Sequence, residues 1–214
     1  MTALTHGDAV PAGGEHVSAG HHEHPDVVGG RQRLGVILLI LADVAFVLSL
    51  VFTYLYLRQL NTEGGWIPKD GGTESIGFGW VIALVMVAGW AAYRWGETAA
   101  RAGQQSRLVL GSALAVLIAA VDLALQLYQM AVSTLRAADG AYASSFMALA
   151  GYHAFHVLLT LFIGVGVWNR ARLGKYTGNH WQVRIVGYWW AWVAVSAVIT
   201  AATLSFTTSP HVVP

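Results

Sequence analysis

Long apolar stretches alternate with short polar connections along most of the chain. Each stretch approaches or exceeds the roughly 20 apolar residues that a transmembrane helix needs. The five stretches run approximately over residues 34–57, 76–93, 108–135, 144–168 and 183–206. They lack the amphipathic period of a water-soluble bundle and the alternation of a β-barrel strand. The pattern therefore predicts an all-α membrane protein, built as a bundle of five transmembrane helices.

The first thirty residues have a different character. They are polar and contain five of the nine histidines, with no basic start followed by an apolar run. A cleaved signal peptide would need both features. We therefore expect a disordered, His-rich tail over residues 1–30 and a single transmembrane domain over residues 31–214.

The composition agrees with a membrane protein and excludes several function classes. Charged residues make up 11% of the chain and hydrophobic residues 56%, whereas about a quarter of a soluble domain is charged. The net charge of +1 gives no attraction to nucleic acid. The chain has no cysteine, which excludes disulfides, thiolate metal sites and cysteine nucleophiles.

The basic residues of the connections predict the orientation, because cytoplasmic loops are enriched in Lys and Arg. One side would carry Arg31, Arg33, Arg94, Arg101, Arg107, Arg170, Arg172, Lys175 and Arg184. The other side would carry Arg58, Lys69 and Arg136. This bias places the N-terminus in the cytoplasm and, after five crossings, the C-terminus outside.

Four ionisable residues lie deep within the predicted spans: Asp43, Asp122, His153 and His156. An ionisable group at this depth costs roughly 2.5–3.5 kcal/mol and is a functional candidate by default. Asp43 is too deep for its short side chain to reach water, so it needs a partner or a proton. We predict one buried polar cluster of Asp43, His153 and His156 between the first and fourth spans.

A polar stripe follows one face of the third span. Asp122, Gln126, Gln129 and Ser133 recur at steps of three and four residues, which places them on the same side of a helix. Hydrogen bonding between helices is the favoured interpretation, because such residues commonly hold membrane bundles together. A proton path is the alternative.

The spacing of His153 and His156 also fits two ligands of a metal ion, since residues three apart share a helix face. A third ligand would have to come from elsewhere, for example from Asp43 or His180. A hydrogen-bonding role is favoured for both histidines, and we predict no metal site in this chain.

Aromatic residues are dense at the start of the last span. They are Trp181, Tyr188, Trp189, Trp190 and Trp192. Part of the set is typical of a membrane–water interface. Their density further indicates packing against a neighbouring helix or subunit, and we predict that these aromatics form an interface.

Three stretches resemble subunit III of the haem–copper respiratory oxidases. Residues 41–46 and 52–58 (LADVAF and FTYLYLR) resemble its Ser-Glu-Val-Met-Phe-Phe motif and the aromatic run after it. Residues 151–157 (GYHAFHV) resemble Gly-Phe-His-Gly-Leu-His-Val, the most specific signature of the family. Residues 188–193 (YWWAWV) resemble Trp-Tyr-Trp-His-Phe-Val. The resemblance covers about residues 34–206.

The chain also departs from the family pattern. Asp43 replaces the intramembrane Glu, Gln129 replaces a second Glu, and Ala191 and Ala194 stand where the family has His and Asp. Five spans match the short bacterial form instead of the seven-span form. The chain is thus identified as a divergent, short member of the family.

The resemblance implies an accessory, non-redox subunit of a bacterial terminal oxidase in the inner membrane, without catalysis by this chain alone. It would pack on catalytic subunit I, near subunit II, and support stability, phospholipid binding and the supply of protons and oxygen during aerobic respiration. Haem and copper would lie in the partner subunit. Membership of a respiratory supercomplex stays open.

Two alternatives remain at this point. One is an accessory subunit of a nitric oxide reductase. The other is a small proton-coupled transporter or channel that uses Asp43, Asp122 and His153. The absence of a detectable internal repeat argues against a typical transporter.

Overall fold

The computed structural model describes residues 25–60, 65–68, 72–176 and 180–207. The regular structure within these ranges is entirely helical: α1 (Pro25–Gln59), α2 (Ile76–Arg101), α3 (Gln105–Val132), a 3₁₀ turn (Ala137–Asp139), α4 (Ala141–Arg172) and α5 (Trp181–Leu204). All five α-helices are long and apolar enough to cross a membrane. The predicted fold class, an all-α membrane protein with five transmembrane helices, is confirmed.

Several helices extend beyond the predicted apolar windows. α1 begins at Pro25 instead of residue 34, so the last residues of the predicted tail are helical. α2 continues past Tyr93 to Arg101. The apolar windows mark only the hydrocarbon depth, whereas a helix continues into the interfacial region where charged side chains reach water. The tail prediction for residues 1–24 lies outside the described residues.

Four helices form the body of the bundle. α2 packs against α3 and α5, and α4 packs against α3 and α5. The contact of α2 with α3 is very close at Gly96 and Gly111, where a Cβ added to Gly111 would lie 2.6 Å from the Cα of Gly96. Small residues at such positions let two helix backbones approach, which is typical of membrane bundles.

α1 lies at the edge of this body and contacts only α4 and α5 among the described elements. Large apolar side chains of α1 are exposed, including Leu38, Leu41, Phe46 and Phe52. An apolar surface of this kind belongs against lipid or against another membrane protein. The predicted orientation of the termini stays a prediction.

Aromatic rings close the end of the bundle at which α1 ends and α4 begins. Tyr54, Trp66 and Tyr142 are buried, and the Tyr54 and Trp66 ring centroids are 5.1 Å apart, edge to face. The indole of Trp66 donates to the carbonyl oxygen of Thr207, and the hydroxyl of Tyr54 donates to that of Phe206. These hydrogen bonds tie the end of α1 and the loop after it to the segment that follows α5, and the ring contacts with Tyr142 add the start of α4.

Candidate functional site: two carboxylate–histidine pairs

Asp43 lies at the middle of α1 and is bonded to both neighbouring helices. Its Oδ2 accepts a hydrogen bond from the Tyr152 hydroxyl of α4 at 2.8 Å and from the Trp192 indole of α5 at 2.5 Å. Its Oδ1 lies 3.1 Å from Nε2 of His156. This group of four side chains, called the Asp43 network below, joins α1 to the body of the bundle.

The backbone fixes the number of protons in this network. Nδ1 of His156 lies 2.8 Å from the carbonyl oxygen of Tyr152, and a carbonyl oxygen can only accept, so Nδ1 carries a hydrogen. Nε2 and the Asp43 Oδ1 must then share a second hydrogen. The pair is either imidazolium with carboxylate or imidazole with carboxylic acid. Both forms have no net charge, which reduces the cost of burial within a membrane.

A second pair links α3 to α4. Nε2 of His153 lies 2.8 Å from Oδ2 of Asp122. Both residues are buried, with His153 1% exposed and Asp122 0% exposed. The other oxygen of Asp122 and Nδ1 of His153 have no hydrogen-bond partner among the described protein atoms. This pair, called the Asp122–His153 pair below, is therefore buried but not fully satisfied.

The structure divides the cluster that the sequence predicted. It brings Asp43 and His156 together, whereas His153 bonds to Asp122 instead of Asp43. Side chains three residues apart on an α-helix point in directions that differ by about 60°. This angle is enough to direct His156 toward α1 and His153 toward α3.

The polar stripe of α3 continues from the Asp122–His153 pair toward the end of the helix. Gln126 and Gln129 are buried, and Nε2 of Gln126 donates to Oε1 of Gln129 at 3.1 Å. The Ser133 hydroxyl donates to the carboxylate of Glu74, which lies in the segment before α2. The stripe thus faces the interior of the bundle and ends at an acidic side chain.

An apolar groove of about 490 Å³ opens beside the Asp43 network. It is lined by Asp43, Phe46, Leu50, Ala148, Tyr152, Phe155 and His156. Most of its walls are hydrocarbon, with polar atoms of the network at one side. Such a groove suits an apolar chain that lies along the helices.

The dense aromatics of α5 divide into buried and half-buried rings. Trp189, Trp190 and Trp192 are buried within the chain. Trp190 stacks on Tyr93 at 5.3 Å, and the Trp189 indole donates to the Thr160 hydroxyl at 2.9 Å. These three rings pack inside the bundle against neighbouring helices and not against another subunit, which was the other alternative predicted for them. An apolar helix has no amphipathic period that would reveal which ring points inward.

The remaining two aromatics lie near the start of α5 and are half-buried. The Tyr188 hydroxyl accepts a hydrogen bond from Arg184 at 3.0 Å, and the Arg33 guanidinium lies 5.7 Å from its ring centroid. Trp181 packs closely against Gly29 of α1. A Cβ added to Gly29 would lie 3.2 Å from the Trp181 ring. An interface role for Trp181 and Tyr188 stays a prediction.

Sequence reasoning missed a buried acidic residue near the end of α2. Glu97 is 2% exposed and accepts from Arg94 at 2.6 Å and from Arg101 at 2.5 Å. Its carboxylate lies against Gly187 of α5, where a Cβ would come within 2.6 Å of Oε2. The spacing of the three charged residues, three and four positions apart, was the available signal.

Just after α4, burial raises the pKa of the Tyr176 phenol above its ordinary value. The nearby Arg170 guanidinium, 5.6 Å from its ring centroid, opposes this effect. Tyr176 is therefore neutral at physiological pH and contributes packing without charge.

In the described part of the chain, no group of three or more His, Asp or Glu side chains is arranged to hold a metal ion. The two histidines considered as ligands, His153 and His156, each face a different carboxylate. What the arrangement can do is hold protons and join four helices, α1, α3, α4 and α5, by hydrogen bonds.

The fold and these pairs define a class: a polytopic membrane protein whose buried ionisable groups hold its helices together. Comparison with known proteins gives the family. A family model described as "Cytochrome c oxidase subunit III" matches residues 13–202. The chain belongs to the cytochrome c oxidase subunit III family, and the resemblance seen in its sequence motifs is confirmed.

Individual relatives agree with the family assignment. Cytochrome c oxidase subunit 3 of Triticum aestivum is 30% identical over 188 residues, covering 84% of this chain and 68% of the relative. The protein of the same name from Synechocystis sp. is 25% identical over 182 residues, covering 84% and 76%. A probable cytochrome c oxidase subunit 3 of Rickettsia conorii is 24% identical over 189 residues, covering 81% and 66%. Together with the five membrane-spanning helices, the bacterial relatives support a multi-pass protein of the bacterial inner membrane.

Proposed function

We propose that this chain is the accessory, non-redox subunit of a bacterial haem–copper terminal oxidase. The match to the subunit III family over residues 13–202 carries the proposal. In this role the chain packs on catalytic subunit I, with subunit II as a further neighbour, and stabilises the complex. Electron transfer and oxygen reduction take place in the partner subunits, where haem and copper are held.

The buried ionisable groups support this role. The two carboxylates near the middle of the spans are each bonded to a histidine of another helix: Asp43 to His156 and Asp122 to His153. Such bonds fix the positions of three helices relative to one another. A subunit that stabilises a larger assembly needs a rigid body of this kind.

The outer face of α1 and the groove beside it support contact with lipid. Large apolar side chains of α1 are exposed, and the groove next to Asp43 has mostly hydrocarbon walls. We propose that a phospholipid acyl chain occupies the groove. In that position the lipid covers the Asp43 network on its open side.

The test is purification of the tagged chain in mild detergent from its native membrane. We expect copurification of a haem–copper catalytic subunit, a haem spectrum from the complex and oxygen-reducing activity. The chain separated from its partners is expected to be colourless. Copurification with an enzyme that reduces nitric oxide instead of oxygen would contradict the proposed complex.

A second measurement addresses the transporter alternative, which the comparisons do not favour. The isolated chain is reconstituted in liposomes with a pH-sensitive dye inside. We expect no proton flux above that of empty liposomes. Flux that is lost in Asp122→Asn would contradict an accessory role without transport.

A further inference from the structure

Two polar atoms of the Asp122–His153 pair are available to a ligand. Oδ1 of Asp122 and Nδ1 of His153 are buried and lack a protein partner. Leaving such atoms unpaired is costly in a medium without water. The contrast with His156 is direct, because Nδ1 of that ring bonds the carbonyl oxygen of Tyr152.

Water is the ligand that suits these two atoms. A buried water typically makes about three hydrogen bonds and can both donate and accept. It can therefore donate to the carboxylate oxygen of Asp122. It can also bond Nδ1 of His153 whether or not that nitrogen carries a hydrogen. Two side chains alone are too few for a metal ion, which needs at least a third protein ligand.

The stripe of α3 connects this position to one end of the bundle. Asp122 lies ten residues before Val132, where α3 ends, and is therefore about 15 Å from that end. Gln126 and Gln129 occupy the distance between them and are bonded to each other. The hydroxyl of Ser133 and the carboxylate of Glu74 follow at the surface end.

In the described part of the chain, no other ionisable side chain is seen bonded to the pair. α2 and α5, the other helices of the bundle body, carry no Asp, Glu, His, Lys or Arg over residues 76–93 and 189–204. On α4 the ionisable neighbours are Tyr152 and His156, which are bonded to Asp43 of α1. Water is therefore the partner with which the pair can exchange a proton.

We propose that Asp122 and His153 form a buried site that binds ordered water and exchanges its shared proton with the aqueous phase along Gln126, Gln129 and Ser133. The exchange occurs at the end of the bundle where α3 ends and α4 begins. This inference goes beyond the accessory role and does not depend on the identity of the partner subunits.

The first test is infrared spectroscopy of the intact complex in lipid nanodiscs during transfer from H₂O to D₂O. The band lost in Asp122→Asn identifies the carboxyl group. If the shared proton resides on the imidazole, the ring band lost in His153→Asn reports it instead. We expect the band to shift within minutes of transfer. A band that stays unshifted for hours, while exposed loops exchange, would overturn the proposal.

The second test addresses the path with matched variants. Gln129→Leu replaces an amide by an apolar side chain of similar size and is expected to slow the exchange at least tenfold. Gln129→Glu keeps a polar group at that position and should preserve fast exchange. Leu127→Ala is the control, because Leu127 is on the same helix at similar depth but 51% exposed. Equal rates in Gln129→Leu and Leu127→Ala would exclude the stripe as the path.

The third test is direct observation of the ligand. A cryo-EM map of the complex, at a resolution that shows interior waters elsewhere, should contain a density peak within hydrogen-bond distance of Asp122 Oδ1 or His153 Nδ1. Absence of any peak there would show that the site is dry and would overturn the proposal.

Discussion

Replacing Asp43 by Leu measures what the Asp43 network contributes to stability. The substitution removes the acceptor for the Tyr152 hydroxyl, the Trp192 indole and the His156 ring. A buried donor left without a partner costs about 1–3 kcal/mol. Trp192 is buried and bears this penalty in full. Tyr152 and His156, on the mostly hydrocarbon wall of the groove, bear part of it. We expect the free energy of unfolding to fall by about 2–4 kcal/mol.

Asp43→Asn is the matched control, because the geometry of the network accommodates an amide. The carbonyl oxygen of Asn can accept from Tyr152 and Trp192. Its NH₂ group can donate to Nε2 of His156, whose Nδ1 already carries the hydrogen that bonds the Tyr152 carbonyl oxygen. All the contacts therefore persist without the shared proton. We expect a loss of less than about 1 kcal/mol.

The assay is unfolding of the purified full chain in mild detergent by titration with sodium dodecyl sulfate, followed by circular dichroism. The expected order of stability is wild type, then Asp43→Asn, then Asp43→Leu, with a clear gap before the last. If Asp43→Asn were as unstable as Asp43→Leu, charge and not hydrogen bonding would dominate the network. If Asp43→Leu were as stable as wild type, the network would not hold α1.

Three further predictions concern packing inside the bundle and use the same unfolding assay. Gly111→Ala should destabilise the chain by roughly 1–3 kcal/mol, because its Cβ would collide with Gly96. Gly151→Ala should not, because no neighbouring helix lies within 4 Å of an added Cβ in the described structure. Equal effects of the two substitutions would contradict the close contact of α2 with α3. Trp190→Ala should cost about 3–5 kcal/mol, because Trp190 is completely buried, and a near-neutral result would place the ring outside the core. Glu97→Gln should cost only about 1 kcal/mol, because both of its arginine partners are half-exposed and stay hydrated; a loss of several kcal/mol would refute this.

The sequence was sufficient to predict the number and type of the spanning elements. Lipid offers no hydrogen bonds to the backbone, so a run of about 20 apolar residues has essentially one structure available within it. The helix ends were less predictable. α1 begins at Pro25 and α2 reaches Arg101, because outside the hydrocarbon a helix is limited by local capping and packing, which hydrophobicity does not report.

The sequence was less informative about which side of each helix faces inward. Trp189 and Trp190 are adjacent, apolar and equally compatible with lipid, with a partner or with the core. Only the glycines opposite Trp190 show that the core has room for its ring. A Cβ added to Gly89 or to Gly164 would lie within 3.3 Å of that ring. Complementarity between distant positions of this kind depends on how the helices are arranged in space, which one sequence does not specify.

The same limit explains why Asp43, His153 and His156 were predicted as one cluster, with Asp122 placed separately on the stripe of α3. The cost of burial required a partner for Asp43, Asp122, His153 and His156, and all four residues do have one. Which histidine bonds which aspartate depends on the angle between the two histidines around α4. His153 and His156 are separated by about 60° around α4 and by about 4.5 Å along it, so two helices packed on adjacent sides of α4 each reach a different ring. Once α1 and α3 are placed on those sides, the second carboxylate is necessary, because one aspartate cannot bond both histidines across that angle. Asp122 is thus the residue that makes His153 compatible with a membrane interior, and its removal should affect α3 and α4 while leaving the contact of α1 with α4 intact.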